Sequence, residues 1–280
     1  MLQNKKLIIL SIPVFILYIL FLYGVVNIIL MAFGINNIFE INNLDIQFIK
    51  KIFLDKTIII SFINTFLVSF ISALLSVILG ILISLYLIKQ NIYNHNILYI
   101  TIPIPYIVVA MMFIIMFAQN GFLSRISYHL GFIKNSYDFP MLINDKYNIG
   151  IIIAYIFKST GYILSVIYIL LNKTNIKYYE VSKVMGLNYK KYIFDIILPI
   201  NIKSIISNFL ILYSYFFGAF ELPYLLGNTK YKLLPVIAYE KYLNPNLNNR
   251  PEFYAINFIM LLFGIVNIII YKKIIGVKYE

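Results

Sequence analysis

The chain has no cysteine and no tryptophan, and only 12% of its 280 residues are charged. Without cysteine there is no disulfide, no thiol nucleophile and no Cys-type zinc site. Without tryptophan, aromatic anchoring at a membrane interface falls to the 25 tyrosines. A soluble domain of this length carries roughly twice this share of charged residues. In their place is a composition that is 61% hydrophobic, arranged in long uncharged runs. Such runs make the bilayer the expected solvent. Acidic residues are also scarce, 11 against 23 Lys and Arg. The resulting charge of +12 does not point to nucleic acid, because the basic residues lie mostly in short segments between apolar runs. The two histidines, His95 and His129, stand alone and form no metal-ligand set. No Ser-His-Asp or paired-carboxylate pattern stands out, so no catalytic site, metal or cofactor is expected and the chain is not read as an enzyme.

Six apolar stretches are long enough to cross the hydrocarbon core, which takes about 20 residues. They run Leu7 to Ala32, Ile58 to Ile88, Ile97 to Ala118, Tyr147 to Leu171, Ser204 to Leu226 and Phe253 to Tyr271. The first is too long for the core of a signal peptide and lacks a small-x-small cleavage site, so it reads as a retained anchor. Pro103 and Pro105 predict an irregular start to the third, because proline removes backbone donors and restricts the residue before it. The fold class is therefore all-α, a polytopic membrane protein with six transmembrane helices forming one domain over residues 1–280. Lys and Arg are denser on the side that holds both termini and the segment 172–203, which alone has six lysines. That side is expected to be cytoplasmic.

The segment between the fourth and fifth spans is polar and lysine-rich. It contains Glu180-Val181-Ser182-Lys183-Val184-Met185-Gly186 and, after nine residues, Ile196-Ile197-Leu198-Pro199. Asn175 is placed to cap a short helix ending near Met185. Gly186 suits the left-handed position that stops it. Asn188 is placed to cap a second short helix from Tyr189, and Pro199 fits the first turn of the fifth span. The expected product is a helical elbow along the membrane surface.

Glu180, Gly186, Ile196, Leu198 and Pro199 match in spacing the signature "EAA" loop of ABC-importer permeases, and the chain resembles that family over most of its length. Val181 and Ser182 stand where the family usually has alanines. Asn64-Thr65 in the second span and Pro103-x-Pro105 before the third also look like the family's shared core. The resemblance implies a MetI-like permease core of five helices plus an N-terminal one. It further implies a bacterial-type plasma membrane, a second permease subunit, two ABC ATPase subunits inside the cell and an extracytoplasmic solute-binding protein. Glu180, Ser182, Gly186, Ile196, Leu198 and Pro199, within a coupling loop at about 172–200, would contact the ATPase. The chain has no GxxxxGK[ST] phosphate loop, consistent with ATP being hydrolysed elsewhere.

Two charges fall within spans. Lys158 lies in the fourth and Glu221 near the outer end of the fifth. A charge at the bilayer centre costs about 2.5–3.5 kcal/mol on insertion scales, so each is expected to face protein, water or a partner charge. One reading has them lining the translocation path; the other has them in structural pairs or snorkelling to an interface. Phe217-Gly218-Ala219-Phe220-Glu221-Leu222-Pro223-x-Leu225-Leu226-Gly227, followed by Leu233-Leu234-Pro235, resembles the spermidine/putrescine-type permeases. That implies a polyamine or similar small charged solute. The external segments carry seven acidic residues: Glu40, Asp45, Asp55, Asp138, Asp145, Glu240 and Glu252. A secondary transporter would be expected to show half-repeats, and none is visible. A non-transporting scaffold would give no reason for the Glu-Gly-Leu-Pro spacing.

Overall fold

The computed structural model describes residues 2–35, 46–92, 100–245 and 250–276, with side chains from residue 11 onward. Among the described residues there are helices and no strands. In chain order the helices are α1 (Leu2–Ala32), α2 (Gln47–Leu54), α3 (Lys56–Lys89), α4 (Tyr106–Phe117), α5 (Phe122–His129), α6 (Ile149–Val184), α7 (Tyr189–Tyr192), α8 (Leu198–Gly218), α9 (Glu221–Leu226), α10 (Leu234–Leu243) and α11 (Arg250–Ile275). A π-helical turn, Ile193–Ile197, joins α7 to α8. Six helical stretches among the described residues are long and apolar enough to span a bilayer, as expected from the sequence. His95, Glu40 and Asp45 lie outside the described residues.

The chain divides into two compact units, Met1–Ile59 with Ile237–Leu262, and Ile60–Val236 with Phe263–Glu280. In the first, a buried carboxylate organises three helices. Glu252, in the first turn of α11, accepts from Lys241 of α10 at 2.6 Å and pairs with Lys51 of α2. Arg250 lies over the ring of Tyr242, 5.6 Å from its centroid, and Phe33 meets Phe258 edge-on at 5.4 Å.

The second unit is built on one face of α3. Ser61, Thr65, Ser69, Ser72, Ser76, Gly80 and Ser84 recur every three or four residues, and the hydroxyl-bearing ones are all buried. Lipid gives little hydrophobic drive for helices to associate, so close contact between small residues and interhelical hydrogen bonds must supply it. Both are present. A Cβ added at Gly80 would overlap the side chain of Ile163 on α6. Four residues away, Ser159 of α6 donates to Ser76 at 2.7 Å. Thr65 and Ser76 also donate to the carbonyls of Ser61 and Ser72, four residues back, so these hydroxyls stay paired inside an apolar bundle. Thr65 in turn accepts from the backbone N–H of Leu234 at 2.7 Å and so satisfies a donor at the start of α10. Tyr213 of α8 sits among Phe66, Phe70, Phe209 and Phe263, and Phe217 stacks on Phe263 at 3.7 Å.

Several boundaries differ from the sequence expectation, each for a local reason. The third helical span begins at Tyr106: residues 100–105 are irregular and Pro105 is the N-cap of α4, while Ile97 lies outside the described residues. With 12 residues α4 is about 18 Å long, short of the ~30 Å core, and α5 extends it. The fifth span ends at Gly218 rather than Leu226. There the chain extends at Ala219 and restarts as α9, whose last carbonyl, Leu226 O, accepts from Asn144 N at 2.9 Å. The fourth runs on to Val184, 36 residues or about 54 Å, and therefore projects beyond the bilayer core. Gly80→Val tests the stripe. It is expected to destabilise the detergent-solubilised protein by about 1–3 kcal/mol through overpacking against Ile163, read as a lowered thermal midpoint. An unchanged midpoint would mean the two helices do not meet there.

Candidate coupling site and intramembrane polar cluster

The elbow predicted after the fourth span forms, with one change. Asn175 does not cap a separate helix, because α6 continues unbroken through it and carries Glu180 to its last turns. Asn175 accepts instead from the hydroxyl of Tyr192 at 3.2 Å. Gly186 stops the helix at φ +73°, a conformation that costs an L-residue strain. Its N–H donates to Lys183 O at 2.9 Å, and that of Leu187 to Ser182 O at 3.0 Å, the paired bonds of a Schellman stop. Asn188 then caps α7, accepting from Lys191 N at 2.8 Å. Pro199 has no N–H for Asp195 O, four residues back, and its ring crowds that carbonyl. The π turn at 193–197 widens the helix just ahead of it, with Leu198 N reaching back to Ile193 O.

The signature residues separate into two sets. Glu180 faces solvent with 80% of its side chain exposed and, among the described residues, pairs with Lys183 at 3.3 Å. Beside it Val181, Met185 and above all Val184, 90% exposed, form an apolar tip. Ser182 was expected to face a partner, but it points inward, 1% exposed, and donates to Tyr179 O at 2.6 Å. Ile196 and Leu198 pack on the core. Those inward residues belong to the mount that holds the tip.

Sequence reading missed that mount. Tyr179 and Tyr192 meet at 5.4 Å, and Tyr189 and Tyr192 at 6.4 Å. The Tyr189 hydroxyl donates to Leu85 O on α3 at 3.2 Å, and Lys89 sits 5.4 Å from its ring centroid. Asn201 donates to Thr174 at 2.9 Å. The end of α6, the α7–π–α8 segment and the end of α3 are thereby tied together. The only sequence sign was the density of tyrosine near the elbow.

Lys158 is buried, 8% exposed, about a quarter of the way along α6. Its ammonium donates at 2.7 Å to both Thr101 O and Ile102 O, and lies 5.2 Å from the centroid of Tyr106. In a continuous helix Thr101 O would accept from residue 105, which is a proline. Lys158 supplies the donor that Pro105 lacks. It does not pair with Glu221, which lies half-buried at the start of α9 within electrostatic reach of the phenols of Tyr106, Tyr155 and Tyr215. The rings of Tyr155 and Phe216 meet at 4.2 Å, tilted by 30°, and the Tyr155 hydroxyl is buried without a hydrogen-bond partner among the described residues. Four of the external carboxylates are engaged by their neighbours. Asp145 caps α6 through Ile149 N (2.8 Å) and Gly150 N (3.2 Å), Asp55 accepts from Thr57 N, Asp138 from Asn135 N, and Glu252 is paired. No group of metal-ligating side chains occurs among the described residues. Lys158→Met is expected to lower the thermal midpoint by an amount equivalent to about 2 kcal/mol, because two carbonyls lose a charged donor away from water. Reduced transport with an unchanged midpoint would make Lys158 a solute contact instead.

Comparison with known proteins agrees with this architecture. A search of curated proteins finds no match. The fold matches a bacterial ABC transporter involved in the import of the acidic polysaccharide alginate, with TM-score 0.76 at 18% identity over 98% of this chain and 95% of that one. A bacterial alginate ABC transporter in complex with an alginate pentasaccharide-bound periplasmic protein matches equally, with TM-score 0.76 at 19% identity over 97% and 93%. At these identities the likeness is one of fold. The polyamine specificity expected from the Phe217–Gly227 segment finds no support in these matches, and that segment serves to end α8 and seat α9. The family model described as "Binding-protein-dependent transport system inner membrane component" matches residues 76–275, most of the chain. The chain belongs to that family of inner-membrane transport components.

Proposed function

We propose that this chain is one permease subunit of an ATP-driven importer, coupled through residues 175–199 to an ATPase in a separate chain. The observation that carries the reading is an exposed apolar tip, Val181, Val184 and Met185 beside Glu180, on a tightly bonded mount. An apolar knob with one acceptor suits a cleft on a soluble partner. Gly186, Ile196, Leu198 and Pro199 act by holding it there. A second permease subunit completes the path, two ATPases lie on the cytoplasmic side with both termini, and a solute-binding protein delivers from outside. The half-buried Glu221 with the phenols of Tyr106 and Tyr215 forms the solute-facing side of the path, and Lys158 holds the backbone beside it. The solute itself, polyamine or acidic saccharide, is for the binding protein to specify.

Purified in mild detergent with a tag, the chain is expected to bring a second permease and an ATPase. Glu180→Arg should shed the ATPase and keep the permease. Recovery of the chain with no ATPase, where other membrane complexes stay intact, would favour a secondary transporter or scaffold. Gly186→Val puts a β-branched residue at positive φ, a strain of about 1–3 kcal/mol. It should abolish most transport while membrane insertion stays normal; full transport would contradict the role given to the turn.

A further inference from the structure

A second polar feature lies at the other end of α6 from the elbow, in the segment that follows α4. Here a recess of about 550 Å³ is lined by residues of α5 and the loop after it. Arg125 and His129 lie four residues apart on one face of α5, and Tyr128 adjoins them. Lys134, Asn120 and Asn135 add to the polar lining. No carboxylate lines the recess. The nearest in sequence, Asp138, spends its Oδ2 on the backbone N–H groups of Lys134 at 3.1 Å and Asn135 at 2.9 Å. Arg125 lines the recess and is anchored beside it by its Nε, which donates to Asn120 O at 3.3 Å.

We propose that this recess binds an oxyanion, the phosphate or carboxylate group of a small ligand. Guanidinium and ammonium groups line it together with amide, imidazole and phenol donors, so an anionic oxygen would find charge-assisted hydrogen bonds, with no carboxylate among the lining residues. The transport reading makes no use of these residues, and the site stands whether or not the elbow engages an ATPase. Two sources present the same chemistry. One is a free anion. The other is a lipid headgroup, because α5 ends the hydrophobic stretch Tyr106–His129 and exposes Phe122, Ile126 and Leu130 at four-residue spacing, a strip able to lie on acyl chains.

The test uses the full-length chain purified in mild detergent, in whatever complex it forms. Inorganic phosphate is titrated by calorimetry, and retention of phosphatidylglycerol against phosphatidylcholine is followed by native mass spectrometry. The double variant R125Q/K134Q is expected to weaken phosphate binding roughly tenfold or more. K134Q alone, at an exposed position, gives a smaller loss in the same direction and guards against misfolding of the double variant. If the double variant also loses its preference for phosphatidylglycerol, the headgroup is the source; if only phosphate binding falls, the source is a free anion. If the wild-type complex neither binds phosphate nor prefers phosphatidylglycerol, or if both properties survive in both variants, the proposal is overturned.

Discussion

The arrangement of the second unit depends on how closely α6 can approach α3. A helix pair in lipid gains little from excluding water, so its stability comes from contact distance and from polar groups that find each other. The small face of α3 provides both. Gly80 admits Ile163, and Ser76 meets Ser159. With α6 held there, Lys158 reaches the carbonyls ahead of α4, Tyr155 packs against Phe216 of α8, and the far end of α6 projects with Glu180. A single bulky substitution in the stripe would displace all three together.

The elbow is an extension of this packed unit. Its first limb is the end of a helix that crosses the membrane, its second continues through a π turn into α8, and both are tied by tyrosine contacts to the end of α3. A push on the tip is therefore applied to three long helices at once. Under the proposed function, movement of an ATPase becomes movement of the bundle only if the ATPase binds the two permease states with different affinity. The rigidity of the mount ensures that such a difference is not dissipated in a flexible loop.

Much of this was legible in the sequence. Six spans, the stop at Gly186, the cap at Asn188 and the disturbed start of the third helix follow from local rules, because glycine, asparagine and proline act on their own neighbours. The orientation of Ser182 was not legible. Whether a serine on a short helix faces a partner or the core depends on where α7 and α8 pack. Nor was the role of Lys158, which is set by carbonyls 56 and 57 residues away. The α3 stripe was visible as a spacing of small residues, but its use required knowing which helix lay against it. The segment Phe217–Gly227 ends one helix and begins another, which its resemblance to one permease group did not reveal.

The native absence of cysteine allows a direct test of the central claim that the elbow tip enters an ATPase. Single cysteines at Val184 and at Ser182 would each be the chain's sole thiol. In the assembled transporter, with a short bifunctional reagent joining that thiol to a neighbouring amine, V184C is expected to cross-link to the ATPase subunit. S182C, buried in the mount, is expected to remain unlinked. Absence of any ATPase product from V184C, or equal products from both positions, would contradict the account.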